Sequence, residues 1–132
     1  MSSDRTWFIP AGSASDGRAD CRITPESAGW TYCGMYVFTL RAGDPAEFTL
    51  NGEEGVLVSL SAQNLTVTVD GTAFDMQGRD GVFAAVSDWM YLPVGSRVAI
   101  AGTSGEVAIV TARASQAFPV HYGSADNVAV EV

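Results

Sequence analysis

Histidine is nearly absent from this chain: of 132 residues, one is His, at position 121. A single imidazole cannot build a multi-histidine metal centre, and no Ser/His/Asp set is possible beyond His121 itself. Basic residues are also scarce, 7 against 15 acidic, for a net charge of −8. Nucleic acid and anionic membrane surfaces both select basic patches, so neither is expected as a partner. There are 2 cysteines, Cys21 and Cys33. They make no C-x-x-C pair and no metal spacing with His121, and are expected as reduced thiols of a cytoplasmic protein, Cys33 buried in a strand. No apolar h-region follows Met1-Ser2-Ser3-Asp4-Arg5-Thr6-Trp7, and no apolar run is long enough to span a bilayer. Asn64-Leu65-Thr66 fits the glycosylation pattern, which says nothing without secretion. No segment sustains a 3.6-residue period, no glycine-rich phosphate loop is present, and no repeat is visible.

What is present is β pattern. Hydrophobic residues make up 47% of the chain, enough for one domain with a core. Met35–Leu40 places Tyr36, Phe38 and Leu40 on one face, and Ala46–Leu50 places Phe48 and Leu50 on one side. Leu65, Val67 and Val69 alternate with Thr66, Thr68 and Asp70, apolar inward and polar outward. Val56–Leu60 is apolar throughout, as a strand covered on both faces would be. Further strands are expected at Thr6–Ile9, Cys21–Ile23, Thr72–Phe74, Val82–Val86, Trp89–Leu92, Arg97–Ala101 and Val107–Ala112, with another beginning at Val128. Asn51-Gly52 and Asp70-Gly71 both read as hairpin turns. Pro93-Val94-Gly95 is a sharp turn, because Pro93 fixes φ and Gly95 tolerates a positive one. Many short, evenly spaced strands predict an all-β jelly roll of the cupin type. The expected division is an N-terminal arm with short edge strands (1–29), a barrel (30–114), and a C-terminal segment (115–132) leading toward a second domain.

The cupin frame can be laid on the sequence. It asks for G-x5-H-x-H-x(3,4)-E-x6-G and then G-x5-P-x-G-x2-H. With Gly43 as the opening glycine, the two histidine positions fall on Thr49 and Asn51, the glutamate on Val56 and the closing glycine on Gln63. Counting from Pro93 and Gly95, the last histidine position falls on Val98. The skeleton fits and the ligands are missing, since Thr and Val cannot replace imidazole or carboxylate. Three other features were weighed. Glu53-Glu54 reads as a solvated hairpin tip ahead of an acid–base pair. His121 reads as a surface or interface histidine ahead of a catalytic base. Trp89 and Tyr91 read as core or interface aromatics ahead of a sugar-stacking platform, although at a barrel mouth they would suit a sugar. No catalytic, cofactor-binding or metal-binding residue is assigned.

Four stretches occur in order: Ile23-Thr24-Pro25-Glu26-Ser27-Ala28-Gly29-Trp30-Thr31-Tyr32-Cys33-Gly34-Met35, Arg41-Ala42-Gly43, Arg79-Asp80-Gly81-Val82-Phe83 and Tyr91-Leu92-Pro93-Val94-Gly95-Ser96. This run resembles the N-terminal half of the 5-deoxy-glucuronate isomerases, the bicupin enzymes of bacterial inositol catabolism, related to the 5-keto-4-deoxyuronate isomerases. The resemblance covers residues 6–130. It implies a metal held by three histidines and a glutamate in a C-terminal half that this chain lacks, so no catalytic residue carries over. The implied partners are that half, a second copy of the chain, or both. The alternative is a free-standing, metal-free cupin that binds a small molecule or sugar, or that serves dimerisation.

Overall fold

The computed structural model describes residues 8–131. Ten strands and two short helical turns follow one another: β1 (Cys21–Ile23), α1 (Pro25–Ala28), β2 (Cys33–Arg41), β3 (Ala46–Thr49), β4 (Glu53–Ser59), β5 (Gln63–Val69), β6 (Thr72–Gly78), β7 (Trp89–Leu92), β8 (Arg97–Ala101), β9 (Ser104–Arg113), β10 (His121–Gly123) and a 3-10 turn at Ala125–Asn127. A six-stranded sheet has the order β1-β2-β9-β4-β7-β10, and a four-stranded sheet has the order β3-β8-β5-β6. All pairings are antiparallel. The fold is a two-sheet jelly roll of the cupin type, and both flanking segments add edge strands, β1 and β10.

Alternation decides what each strand buries. In β2, Gly34, Tyr36, Phe38 and Leu40 face inward and meet Val67, Val98 and Ile100 from the other sheet in one core. The same parity turns Cys33 outward: it opens β2 exposed, not buried as expected. β4 also alternates. Gly55, Leu57 and Ser59 are buried while Val56 and Val58 are half-exposed, so this central strand is covered on one face only.

The two dipeptide turns differ. Asp70-Gly71 closes a true hairpin, Val69 opposite Thr72, with both central φ angles positive at 48° and 87°. Asn51-Gly52 closes none, because β3 pairs with β8 while β4 pairs with β9 and β7. It is a corner that carries the chain from one sheet to the other. Pro93–Ser96 is a second corner, between β7 and β8, and Gly95 takes φ 79° there. The two corners latch: Gly95 N–H donates to Leu50 O at 2.6 Å, and Leu50 N–H to Ser96 O at 3.0 Å.

Two expected strands are not strands. Val82–Val86 is an exposed loop, since no neighbouring backbone pairs with it. Val128–Glu131 follows the 3-10 turn without joining a sheet. The strand expected at Thr6–Ile9 falls largely outside the described residues, and Phe8 and Ile9 are in none.

Candidate functional site

The opening between the sheets on the β2–β3 side is where a cupin of this frame would hold a ligand. It is a cleft of about 230 Å³ lined by Asp16, Arg18, Arg22, Tyr36, Phe48 and Asn51, among others. Its floor is aromatic. The rings of Tyr36, Phe38 and Phe48 stack, with Phe48 5.3 Å from Tyr36 and 5.2 Å from Phe38. Tyr36 and Phe38 occupy inward positions of β2 and Phe48 an inward position of β3 in the other sheet, so period-2 placement brings the three rings together between the sheets.

The frame laid on the sequence runs one residue out of phase with the pleat of β3. Thr49 is exposed and Asn51 sits in the corner, while Phe48 and Leu50 point inward. Val56 lies on the outer face and Gln63 is exposed. Val98 alone among those five positions faces the core, fully buried. The residues that point into the core at β3 and β8 are therefore Phe48, Leu50 and Val98, none of which donates an electron pair to a metal, while Glu47, Thr49 and Asn51 lie on the rim of the cleft. Among the described residues, no group of three or more His, Cys, Asp or Glu side chains is placed to hold a metal ion. The described residues lining the cleft include no histidine and so do not fit the three-histidine, one-glutamate metal that the resemblance implies.

Both arginines of the cleft are committed. Arg18 Nη2 donates to Thr39 O at 2.6 Å and Asp44 O at 3.1 Å. Arg22 pairs with Asp16 at 3.1 Å and lies 5.4 Å above the Tyr36 ring. The Tyr36 hydroxyl donates to Glu53 at 2.8 Å. Burial, with the Glu53 carboxylate beside it, raises the Tyr36 pKa, so the phenol stays neutral and keeps the proton it donates to Glu53. The cleft presents a ring edge, an amide, the Thr49 hydroxyl, the exposed Glu47 carboxylate and two arginines that have partners.

The other weighed residues lie elsewhere. Glu53 and Glu54 are no hairpin tip. They start β4 on opposite faces, Glu53 accepting from Tyr36 and Glu54 from the Tyr91 hydroxyl at 2.6 Å, so they cannot act as a carboxylate pair. Trp89 and Tyr91 do not edge the mouth. Met90 and Leu92 are the buried residues of β7, which turns Trp89 and Tyr91 onto the outer face of the six-stranded sheet. The Trp89 indole lies against Gly123, where a Cβ would run into the ring. His121 is exposed in β10, its ring 5.4 Å from Trp89, at the far edge of that sheet from β1.

One buried carboxylate has no marker in the sequence beyond its place ahead of β7. Asp88, 2% exposed, accepts from Gln77 N–H at 2.8 Å, Gly78 N–H at 3.0 Å and the Tyr122 hydroxyl at 2.6 Å. It ties the end of β6 in one sheet to β7 and β10 in the other. The hydrogen bond to Asp88, with burial adding to it, pushes the Tyr122 pKa up to about 12. Two of the three donors to Asp88 are backbone amides and the third joins it to β10, so its work is architectural.

A model of the KduI/IolB family matches residues 7–132. The chain is 29% identical over 129 residues to the 5-deoxy-glucuronate isomerase of Geobacillus kaustophilus, spanning 95% of this chain and 46% of that protein. An IolB-like protein of Salmonella typhimurium LT2 superposes with a TM-score of 0.77 at 27% identity, over 89% of this chain and 45% of that one. A cupin protein of Bacteroides fragilis superposes with a TM-score of 0.53 at 15% identity, over 89% of this chain and 94% of that one, a likeness of fold alone. The chain thus spans about half the length of the family relatives it matches.

Proposed function

The chain belongs to the KduI/IolB family, and on that premise we propose that it is the non-catalytic, N-terminal cupin half of a 5-deoxy-glucuronate isomerase of bacterial inositol catabolism. The full enzyme would interconvert aldose and ketose forms of an acidic sugar, with its divalent metal in a C-terminal cupin half. This half would act in the cytoplasm as a scaffold that shapes the assembly and walls the other half's pocket. The observation that carries the reading is the apolar packing between the sheets: Phe48, Leu50 and Val98 occupy the inward positions at β3 and β8. The half-length match to the Geobacillus isomerase supports it.

The alternative is a free-standing cupin that binds a small molecule. The aromatic floor and Asn51 favour it, but about 230 Å³ is below the roughly 300–1,000 Å³ usual for ligand pockets, and both arginines are occupied. Reading the gene past codon 132 separates the two. An in-frame second cupin bearing His-x-His supports the isomerase half. A stop codon followed by an unrelated gene refutes it.

A further inference from the structure

Asn51 and Gly52 form the exposed corner where the chain crosses from β3 to β4. An asparagine followed by glycine carries a reaction within its own backbone. The glycine nitrogen attacks the asparagine side-chain carbonyl carbon, and a cyclic imide closes. Connectivity keeps those two atoms close, so only ψ and χ1 of the asparagine have to turn. Three things prevent the reaction: a bulky following residue, a hydrogen bond that withholds the attacking N–H, and a side-chain amide held in place.

The corner has none of the three. A Cβ built on Gly52 would meet no atom within 4 Å, so the approach is open. Among the described residues, neither the Gly52 N–H nor the exposed Asn51 side chain has a hydrogen-bond partner. The bonds that hold the corner lie on either side: Leu50 N–H donates to Ser96 O at 3.0 Å, and Ala114 N–H to Gly52 O at 3.1 Å. The other asparagines are protected. Asn64 is followed by a leucine inside β5. Asn127 is followed by the branched Val128, whose N–H donates to Ala125 O at 3.2 Å. Asp70-Gly71 has the same open glycine, but Asp70 Oδ1 accepts from Arg97 N–H at 2.9 Å, and a carboxylate is a poor electrophile.

We propose that Asn51 is a site of spontaneous covalent modification in the folded chain. The Gly52 nitrogen gives up its proton and bonds to Asn51 Cγ. The Cγ–Nδ2 bond breaks, and Nδ2 leaves as ammonia with that proton. Water then opens the imide. Addition at Cγ leaves aspartate on an unchanged main chain. Addition at the Asn51 main-chain carbonyl routes the chain through Cγ, as isoaspartate. No oxidant, metal or second protein takes part.

Both products change the cleft that Asn51 lines, because each adds a carboxylate to a lining that already holds Asp16 and Glu47. Isoaspartate also lengthens the main chain by a methylene between two anchored points, Leu50 and the Gly52 carbonyl. The corner latch, set at hydrogen-bond distance, no longer fits across the longer chain. This inference does not depend on the isomerase reading.

The test is ageing of the purified 132-residue chain in warm, mildly alkaline buffer, native and in urea side by side. Peptide mass mapping reads the exchange of –NH2 for –OH, and an isoaspartyl methyltransferase labels the rearranged product. In the native chain the Asn51 peptide is expected to convert at least about tenfold faster than those holding Asn64 and Asn127. The aged protein should melt below the fresh one. Asn51→Gln, at an exposed position, should remove both the mass change and the loss of Tm, because its larger ring closes slowly. A native chain that keeps Asn51 intact while the urea-unfolded chain converts it overturns the proposal. So does equal conversion at Asn64 or Asn127.

Discussion

Replacing Asp88 by alanine should unlatch the two sheets at the β6–β7 end. The carboxylate is 2% exposed and accepts from two backbone amides and a phenol. Alanine leaves the Gln77 and Gly78 amides without their partner. Each orphaned, partly buried donor costs about 1–3 kcal/mol, charge-assisted bonds toward the upper end. The Tyr122 hydroxyl is half-exposed and finds water, so it adds little. The sum over the two amides is about 2–6 kcal/mol. With ΔS of unfolding near 2.1 cal/mol/K per residue, about 3 kcal/mol lowers Tm by roughly 10 °C. Urea titration should show a lower midpoint with an unchanged slope, since the surface exposed on unfolding is the same. Asp88→Asn keeps one acceptor oxygen and should fall between wild type and alanine. Amide exchange at Gln77 and Gly78 should speed up in both variants. A loss below about 1 kcal/mol for alanine, inside the range of ordinary surface changes, would refute the latch.

Two further outcomes follow from the same contacts. Tyr122 has its folded pKa raised to about 12 from an ordinary value of 10.0, so its stabilisation is full below pH 10 and is lost as pH rises from 10 through 12. Tyr122→Phe should flatten that part of the stability–pH curve, and an unchanged slope would count against the bond to Asp88. Gly105 sits at φ 115°, and a Cβ there would collide with Ser61 O. Gly105→Ala should cost about 2–4 kcal/mol by urea titration, and a neutral result would contradict that backbone path.

The strands and their inward faces were legible because a period of two is written locally: Tyr36, Phe38 and Leu40 are buried as the alternation says. Pairing was not, because it depends on strands distant in sequence. Asn51-Gly52 and Asp70-Gly71 carry the same turn chemistry, yet one joins two sheets and the other two neighbours, because β4 finds its partners in the distant β7 and β9. Val82–Val86 has strand composition and no partner backbone, so it stays a loop with Phe83 outward. The cleft was half-legible. Counting from Pro93 and Gly95 lands on Val98, which is buried, whereas counting from Gly43 across a turn lands on Thr49, which the pleat of β3 turns outward. Asp88 and its three donors come from three separate stretches of chain, and only the folded backbone brings them together.

The central claim is that this half carries no metal chemistry of its own. Elemental analysis of the purified chain, after exposure to divalent zinc, manganese and iron and then desalting, tests it most directly. The account predicts metal well below one equivalent per chain for each ion. One tightly held ion per chain, lost when Phe48 and the cleft around it are altered, would contradict it.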